Sequence, residues 1–88
     1  MRFEWDDRKR ALNHGKHFLD FADAEEVFAG RTKTFPDTKH LGHEQRFLTL
    51  GLLKERVVLI AHTETADTIR VISMRKATRR EQTFYFED

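Results

Sequence analysis

Eighty-eight residues, 39% of them hydrophobic, support one hydrophobic core but not two, so we expect a single domain over residues 1–88. The absence of cysteine excludes disulfide bonds, thiolate catalysis and cysteine zinc sites, and a net charge of only +1 argues against a surface that coats a long nucleic acid. The longest apolar run, Val57–Ala61, is too short to cross a bilayer and no signal-peptide pattern is present, so we expect a cytoplasmic protein without a membrane partner.

The first predicted elements are a short strand and a helix. Phe3–Trp5 has the composition of a strand. Asp6 is a good N-cap, because its carboxylate can accept from the free N–H groups of a first helical turn, and Gly15 suits the position just after a helix end. The pattern therefore predicts an exposed helix at Asp7–His14.

A second, more amphipathic helix is predicted after Asp20, which is another N-cap candidate. Apolar residues then recur at helical spacing and would form one stripe toward a core: Phe21, Ala24, Val27 and Phe28. Gly30 ends this helix.

The pattern changes after residue 30 to that of strands. Pro36 breaks the first of them, and residues 38–44 read as a polar loop. The predicted strands are Thr32–Phe35, Arg46–Leu53, Val57–Glu64 and Thr68–Met74. Because the connections between the last three are short, we expect an antiparallel meander.

A capping box marks the start of a C-terminal helix. Thr78 can cap the N–H of Glu81, whose carboxylate can reach back to the N–H of Thr78, and the helix runs to about Glu87. The predicted fold is therefore α+β, with two N-terminal helices, an antiparallel sheet of about four strands plus a short N-terminal strand, and a C-terminal helix.

The last hairpin suggests one cross-strand pair. If its turn centres on Ala66, His62 faces Arg70 and Ile60 faces Ile72. A histidine and an arginine would then share one face of the sheet near the end of the hairpin.

Positive charge is concentrated late in the chain. The eleven residues Arg70–Arg80 carry five cationic side chains and no acid: Arg70, Arg75, Lys76, Arg79 and Arg80. A local cation cluster on a nearly neutral protein is typical of a specific phosphate site. A solvated surface paired with acids such as Glu81 is the structural alternative.

The same segment carries a family resemblance. Arg70–Glu81 resembles the C-terminal signature of BrnT toxins, which reads roughly R-I-I-S-A-R-K-A-T-R-R-E. Three more segments resemble the family in the same order: Phe3–Asp6 (F-E-W-D), Asn13–His17 (N-x-x-K-H), and Arg46–Gly51 followed by His62–Glu64. The chain departs from the pattern at Phe18-Leu19, where Gly and a small apolar residue are usual, and at Met74, where Ala is usual.

The resemblance implies a fold like that of RelE and ParE toxins and ribonuclease activity. It also implies a ribbon-helix-helix antitoxin as partner, through which alone the toxin would reach operator DNA. The function predicted in this way is that of a type II toxin which cleaves RNA and arrests growth.

RNA cleavage without a metal uses the substrate 2′-OH as nucleophile and needs proton transfer and cations around the phosphate. Arginine suits the cationic task because its planar fork engages two phosphate oxygens. The candidate catalytic residues are Arg75, Arg79, Arg70, His62, Glu64 and His17. The candidate phosphate-binding residues are Lys76, Arg80, Lys16 and Arg46. Structural roles are the alternative for both His62 and His17.

No metal or cofactor is expected. His40-x-x-His43-Glu44 has no supporting helix and no third ligand nearby, and nucleotide-binding motifs are absent. Among the aromatic residues, Phe21, Phe28, Phe35 and Phe47 are predicted core. Trp5, Phe84 and Phe86 fit either the core or an antitoxin-covered surface.

Two other functions fit the sequence. A non-enzymatic inhibitor of RelE-like fold would bind a protein or nucleic acid and block it, since fold alone does not fix function. A co-repressor role, in which the toxin tightens the antitoxin on its operator, can coexist with cleavage.

Overall fold

A computed structural model of the chain describes all residues 1–88. Its elements in chain order are β1 (Arg2–Glu4), α1 (Asp7–His17), a 3₁₀ helix (Phe21–Asp23), α2 (Ala24–Ala29), β2 (Thr32–Pro36), β3 (Phe47–Leu53), β4 (Arg56–Glu64), β5 (Thr68–Lys76) and α3 (Arg79–Phe86). None of the helices has the length and apolar character that crossing a membrane requires.

The sheet differs from the prediction. It has five strands in the order β1-β5-β4-β3-β2 and is mixed, because β1 pairs in parallel with β5 while the other pairs are antiparallel. The prediction of an antiparallel sheet of about four strands, with the opening strand apart, is therefore wrong. The parallel pairing joins Arg2–Glu4 to residues 68–70. A pattern among neighbouring residues cannot predict a contact between segments so far apart in the sequence.

The prediction of two N-terminal α-helices is also wrong, because the second helical segment begins as a 3₁₀ helix. Asp20 does cap a helix, accepting from the N–H of Ala22, but the first turn is 3₁₀ and only Ala24–Ala29 is α-helical. Asp20 also holds α1, because Arg10 donates to both of its carboxylate oxygens at 2.7 and 2.9 Å. The hydrogen bonds from Arg10 lower the pKa of Asp20 to about 2.

Helix α1 runs three residues past its predicted end and contains Gly15. The buried side chain of Asn13 fixes its position, since it accepts from the N–H of Met74 at 3.1 Å and donates to the carbonyl of Met74 at 3.0 Å. These two backbone groups need such a partner because β1 pairs with β5 only as far as Arg70.

The helix ends at Phe18, which adopts a left-handed backbone conformation with φ of 59°. The N–H of Phe18 donates to the carbonyl of His14, and the Phe18 ring is 76% exposed. A left-handed C-terminal residue is usually Gly, because a side chain is strained there. The residue that departs from the family pattern therefore stands where glycine is favoured.

The sheet has two unlike faces. The covered face carries Val58, Ile60 and His62 of β4, and the larger core cluster packs there with Phe21, Val27 and Met74. The open face carries Val57, Leu59 and Ala61, and α3 covers only part of it through a smaller cluster with Leu50, Ala77 and Tyr85.

Helix α3 is held on the open face by its C-terminal end. Tyr85 is buried, and its hydroxyl donates to the carbonyl of Arg31 at 2.8 Å. Arg31 donates to the carbonyl of Tyr85, and Lys33 donates to the carbonyls of Phe84 and Glu87. Two cations thus satisfy the free carbonyls at this helix end, where the helix dipole favours positive charge.

Candidate active site

A groove of 510 Å³ lies on the part of the open face that α3 leaves uncovered. We call it the phosphate groove because its cationic side chains are of the type that binds phosphate. Its basic residues are Lys39, Arg46 and Arg75, and its floor includes Leu59, Ala61 and Ser73. Residues 35–39, which are the end of β2 and the start of the loop after it, form one wall, and Glu81 of α3 lies at the other side.

Arg75 is fixed in this groove by Glu81. Two guanidinium nitrogens of Arg75 donate to the two carboxylate oxygens of Glu81 at 2.8 and 2.9 Å, and Arg75 also donates to the carbonyl of Lys76. The same carboxylate accepts from the N–H of Thr78, and Thr78 accepts from the N–H of Glu81, which completes the predicted capping box. The start of α3 and the orientation of Arg75 are therefore set together.

This pairing also fixes both charges. The hydrogen bond from Arg75 lowers the pKa of Glu81, and the bond to Glu81 raises the pKa of Arg75. Glu81 stays ionised and Arg75 stays charged at neutral pH. The Arg75 side chain is still 38% exposed, so part of the guanidinium faces the groove.

Arg46 approaches the same groove from the residue before β3. Its carbonyl accepts from the N–H of Asp37 at 2.8 Å, which ties it to the wall of the groove. The Nε atom of Arg46 is buried and has no acceptor within the protein. An acceptor that reached this N–H would satisfy a donor that the protein itself leaves unpaired.

Arg79 and Arg80 occupy the first turn of α3 and are both exposed. Neither side chain makes an ion pair or a hydrogen bond. Lys76 lies apart from them in another depression, beside Glu55 and Gln82. With Arg75 in the phosphate groove and Arg70 beside β1, the cation cluster of the sequence is thus divided among four places.

Arg70 lies far from Arg75 on β5. It donates to Glu4 of the neighbouring β1 at 2.7 Å, and this ion pair is largely exposed. About 16 Å of strand separates Arg70 from Arg75, and Arg70 does not line the phosphate groove. The structure therefore separates Arg70 from the phosphate groove.

The predicted register of the last hairpin is wrong. Arg70 pairs with Thr63, and His62 pairs with Val71. In the turn, the N–H of Thr65 donates to the carbonyl of Thr68, and this shifts the alignment of the two strands. A second shift between Ala61 and His62 leaves β5 with an additional residue at a bulge. His62 and Arg70 consequently do not face each other.

His62 is fully buried on the covered face. Its Nε2 shares a 2.7 Å hydrogen bond with the hydroxyl of Thr49, which in turn contacts Thr34 at 2.7 Å. The ring also packs edge-on against Phe28 and parallel to Phe47. Burial lowers the pKa of His62, so the ring is neutral and closed to a substrate.

The other candidate acid–base residues lie outside the phosphate groove. Glu64 is exposed at the end of β4, five residues and about 16 Å from Leu59, which pairs with Arg75. Lys16 and His17 occupy the last turn of α1, which contacts β5. No histidine lines the groove.

The structure adds residues that the sequence did not single out. Lys39 and Asp37 come from the polar loop after β2, and Ser73 comes from the bulged part of β5. Only the position of Pro36 at the end of β2 hinted that this loop turns back over the sheet.

Two comparisons with known proteins bear on this geometry. Residues 5–81 match the family described as ribonuclease toxin, BrnT, of type II toxin–antitoxin system. The crystal structure of the Brucella abortus ribonuclease toxin BrnT is similar to this fold, with a TM-score of 0.72 and 32% sequence identity over 90% of this chain and 99% of that one. No curated protein sequence gives a significant match to the chain.

The family match spans nearly the whole sheet and both of its faces, and it includes Arg46 and Arg75 of the phosphate groove. A toxin of a type II system acts with an antitoxin, so the family also implies an antitoxin partner. The chain belongs to the BrnT family, the ribonuclease toxins of type II toxin–antitoxin systems.

Proposed function

We propose that this toxin is a metal-independent endoribonuclease whose phosphate groove binds the scissile phosphate. The observation that carries the proposal is the convergence of Arg46 and Arg75 in one open groove, with Arg79 and Arg80 beside it at the start of α3. The family match supports ribonuclease activity in general, and these side chains supply the charge that phosphate chemistry needs.

The reaction in this proposal is an internal transfer at phosphorus. The 2′-oxygen forms a bond to phosphorus, the bond to the 5′-oxygen breaks, and the 2′-proton leaves to solvent while the 5′-oxygen gains a proton. Negative charge grows on the non-bridging oxygens as this occurs. Arg75 and Arg46 face those oxygens and stabilise that charge.

Glu81 acts as a positioning residue for Arg75. Its lowered pKa makes it a poor proton donor at neutral pH, so its contribution is to hold the guanidinium toward the groove. Because His62 is buried and Glu64 is distant, neither has a role in this proposal.

The test is cleavage of RNA by purified protein in EDTA. We expect Arg75→Ala to lower the cleavage rate by roughly 10²–10³, the usual effect of removing one group that stabilises transition-state charge. Arg75→Lys should recover only part of the rate, since a lysine cannot bind two oxygens at once.

The matched control is Arg8→Ala. Arg8 is an exposed arginine of α1 whose side chain has no partner, and it lies outside the groove. Equal cleavage by wild type and Arg75→Ala would overturn the proposed site. Growth arrest with intact RNA would favour a non-enzymatic inhibitor instead.

We further propose that the antitoxin is a ribbon-helix-helix protein and that both act in the cytoplasm. The exposed aromatic ring of Phe86 on α3 offers apolar surface that such a partner can cover. Co-purification of the toxin with the protein of the neighbouring reading frame tests the pairing. An operator-binding assay with antitoxin alone and with the complex tests a co-repressor role.

A further inference from the structure

A second groove, of 960 Å³, lies between α3 and the β2–β3 edge of the open face. We call it the aromatic groove. Its apolar lining consists of Phe35, Leu50 and Phe84, and the Arg79 and Arg80 side chains lie along the first turn of α3. Neither arginine belongs to the phosphate groove.

The two grooves adjoin each other. Phe35 and Glu81 line both of them, so a chain that crosses the phosphate groove arrives directly at the aromatic groove. The rings of Phe35 and Phe84 meet edge to face with centroids 5.9 Å apart. Phe84 is 45% exposed, which leaves ring surface available to a ligand.

The charges around this groove are unevenly distributed. Glu81 is occupied by Arg75, and Arg79 and Arg80 have no acidic partner, so the end near the start of α3 is positive. The Lys33 ammonium lies 4.6 Å from the centre of the Phe84 ring. Glu87, the acid at the other end, would repel a phosphate there.

We propose that the aromatic groove receives an unpaired base of single-stranded RNA next to the scissile phosphate. The base stacks on Phe84, and its own phosphate lies toward Arg79 and Arg80. Aromatic side chains flanked by arginines are a general means of binding single-stranded nucleic acid. This inference rests on the proposed function of the phosphate groove.

The residues that line the groove also indicate which part of a base it would recognise. Its floor offers ring and aliphatic surface and few hydrogen-bonding groups, so it recognises the face of a base rather than its edge. We therefore expect tolerance among the four bases at this position. RNA is favoured over a protein segment because the unpaired side chains of Arg79 and Arg80 and the adjacent phosphate groove suit a polyanion.

The experiment measures binding of two uncleavable oligonucleotides of equal charge. One is an eight-residue 2′-O-methyl oligoadenylate, and the other has the same backbone without bases. At one fixed salt concentration, wild type should bind the oligoadenylate roughly ten-fold more tightly, which is the range expected for stacking of one base. Phe84→Ala should lose this preference, and Phe84→Trp should keep it.

Phe86→Ala is the matched control, since Phe86 lies on the same helix, is 59% exposed and is outside the aromatic groove. It should retain the full preference. Circular dichroism of each variant separates loss of stacking from loss of folding, and Phe84→Trp guards against a Phe84→Ala protein that does not fold.

The inference is overturned if wild type binds both oligonucleotides equally, or if folded Phe84→Ala keeps the preference. It is also overturned if Phe84→Ala weakens binding of the antitoxin and leaves RNA binding unchanged, which would identify the groove as a protein surface. RNA cleavage by Arg75→Ala is measured in parallel. If it equals cleavage by wild type, the proposed function of the phosphate groove is wrong, and this outcome is distinct from a failure of the base-binding site alone.

Discussion

On the covered face of the sheet, His62 is fully buried and hydrogen-bonded to Thr49, whereas on the open face Arg46 and Arg75 line a groove that reaches solvent. Both sets of residues were candidates from the sequence. The difference lies in what covers them: His62 is enclosed by the core, whereas the two arginines line an open groove in which we propose that they bind RNA.

The physical reason is the length of the covering elements. Helix α3 has eight residues and is about 12 Å long, while the nine-residue strands β4 and β5 are about 30 Å long. One short helix cannot cover such strands, so part of the open face stays accessible. On the other face, α1, the 3₁₀ helix and α2 together contact β5 and β3.

Glu81→Gln, on the open face, is the substitution expected to have the largest effect on RNA cleavage among those that test this contrast between the two faces. Glutamine at this position can keep the capping box, but it loses the charge that holds Arg75. We expect cleavage to fall about ten-fold with a change in the free energy of unfolding of about 1 kcal/mol or less. Steady-state kinetics should show the loss mainly in kcat.

A double-mutant cycle checks that Glu81 acts through Arg75. In the Arg75→Ala background, Glu81→Gln should have no further effect on cleavage. Glu26→Gln, which changes an exposed acid in the first turn of α2, is the control and should leave the rate unchanged. Additive losses in the double variant would show that Glu81 has a separate task.

On the covered face, His62→Gln should change the pH dependence of stability and not the chemistry. Burial lowers the pKa of the folded-state ring below its ordinary 6.5, although Glu64 opposes this. The unfolded chain therefore binds more protons as the pH falls below 6.5, and the folded state loses up to about 1.4 kcal/mol per pH unit. This loss should be absent in the variant.

Urea denaturation between pH 7.5 and 5 measures this difference. His43→Gln, in the exposed loop before β3, is the control and should keep the wild-type slope. If His62→Gln keeps that slope, the ring is not the group that titrates. If the folded variant loses RNA cleavage, the contrast between the two faces breaks down.

The smallest expected effect concerns the end of α1. Phe18→Gly removes a side chain from a left-handed position and should raise the free energy of unfolding by about 0.5–1 kcal/mol, net of the greater freedom of glycine in the unfolded chain. Cleavage should be unchanged. Chemical denaturation beside Leu12→Gly, which alters an exposed residue inside the same helix and should destabilise, checks the sign.

Much of the fold follows from local pattern. The Asp6 cap, the capping box at Thr78 and Glu81, and the strands β3, β4 and β5 are predicted near their observed positions. Each of these depends on residues only a few positions apart. The end of α1 was misplaced because Gly15 lies within the helix, and the left-handed residue that ends it is Phe18.

For the candidate site as well, some features follow from the local sequence and others only from contacts between distant residues. The sequence by itself determined that cations are concentrated in Arg70–Arg80 and, through the family resemblance, that this is a BrnT toxin. Only the tertiary structure decided where each of those cations lies: Arg75 shares a groove with Arg46, the residue before β3, whereas Arg70 is paired with Glu4 and Lys76 lies elsewhere. The reason is that register, bulges and the short reach of α3 set the position of each side chain, and these depend on contacts between residues far apart in the chain.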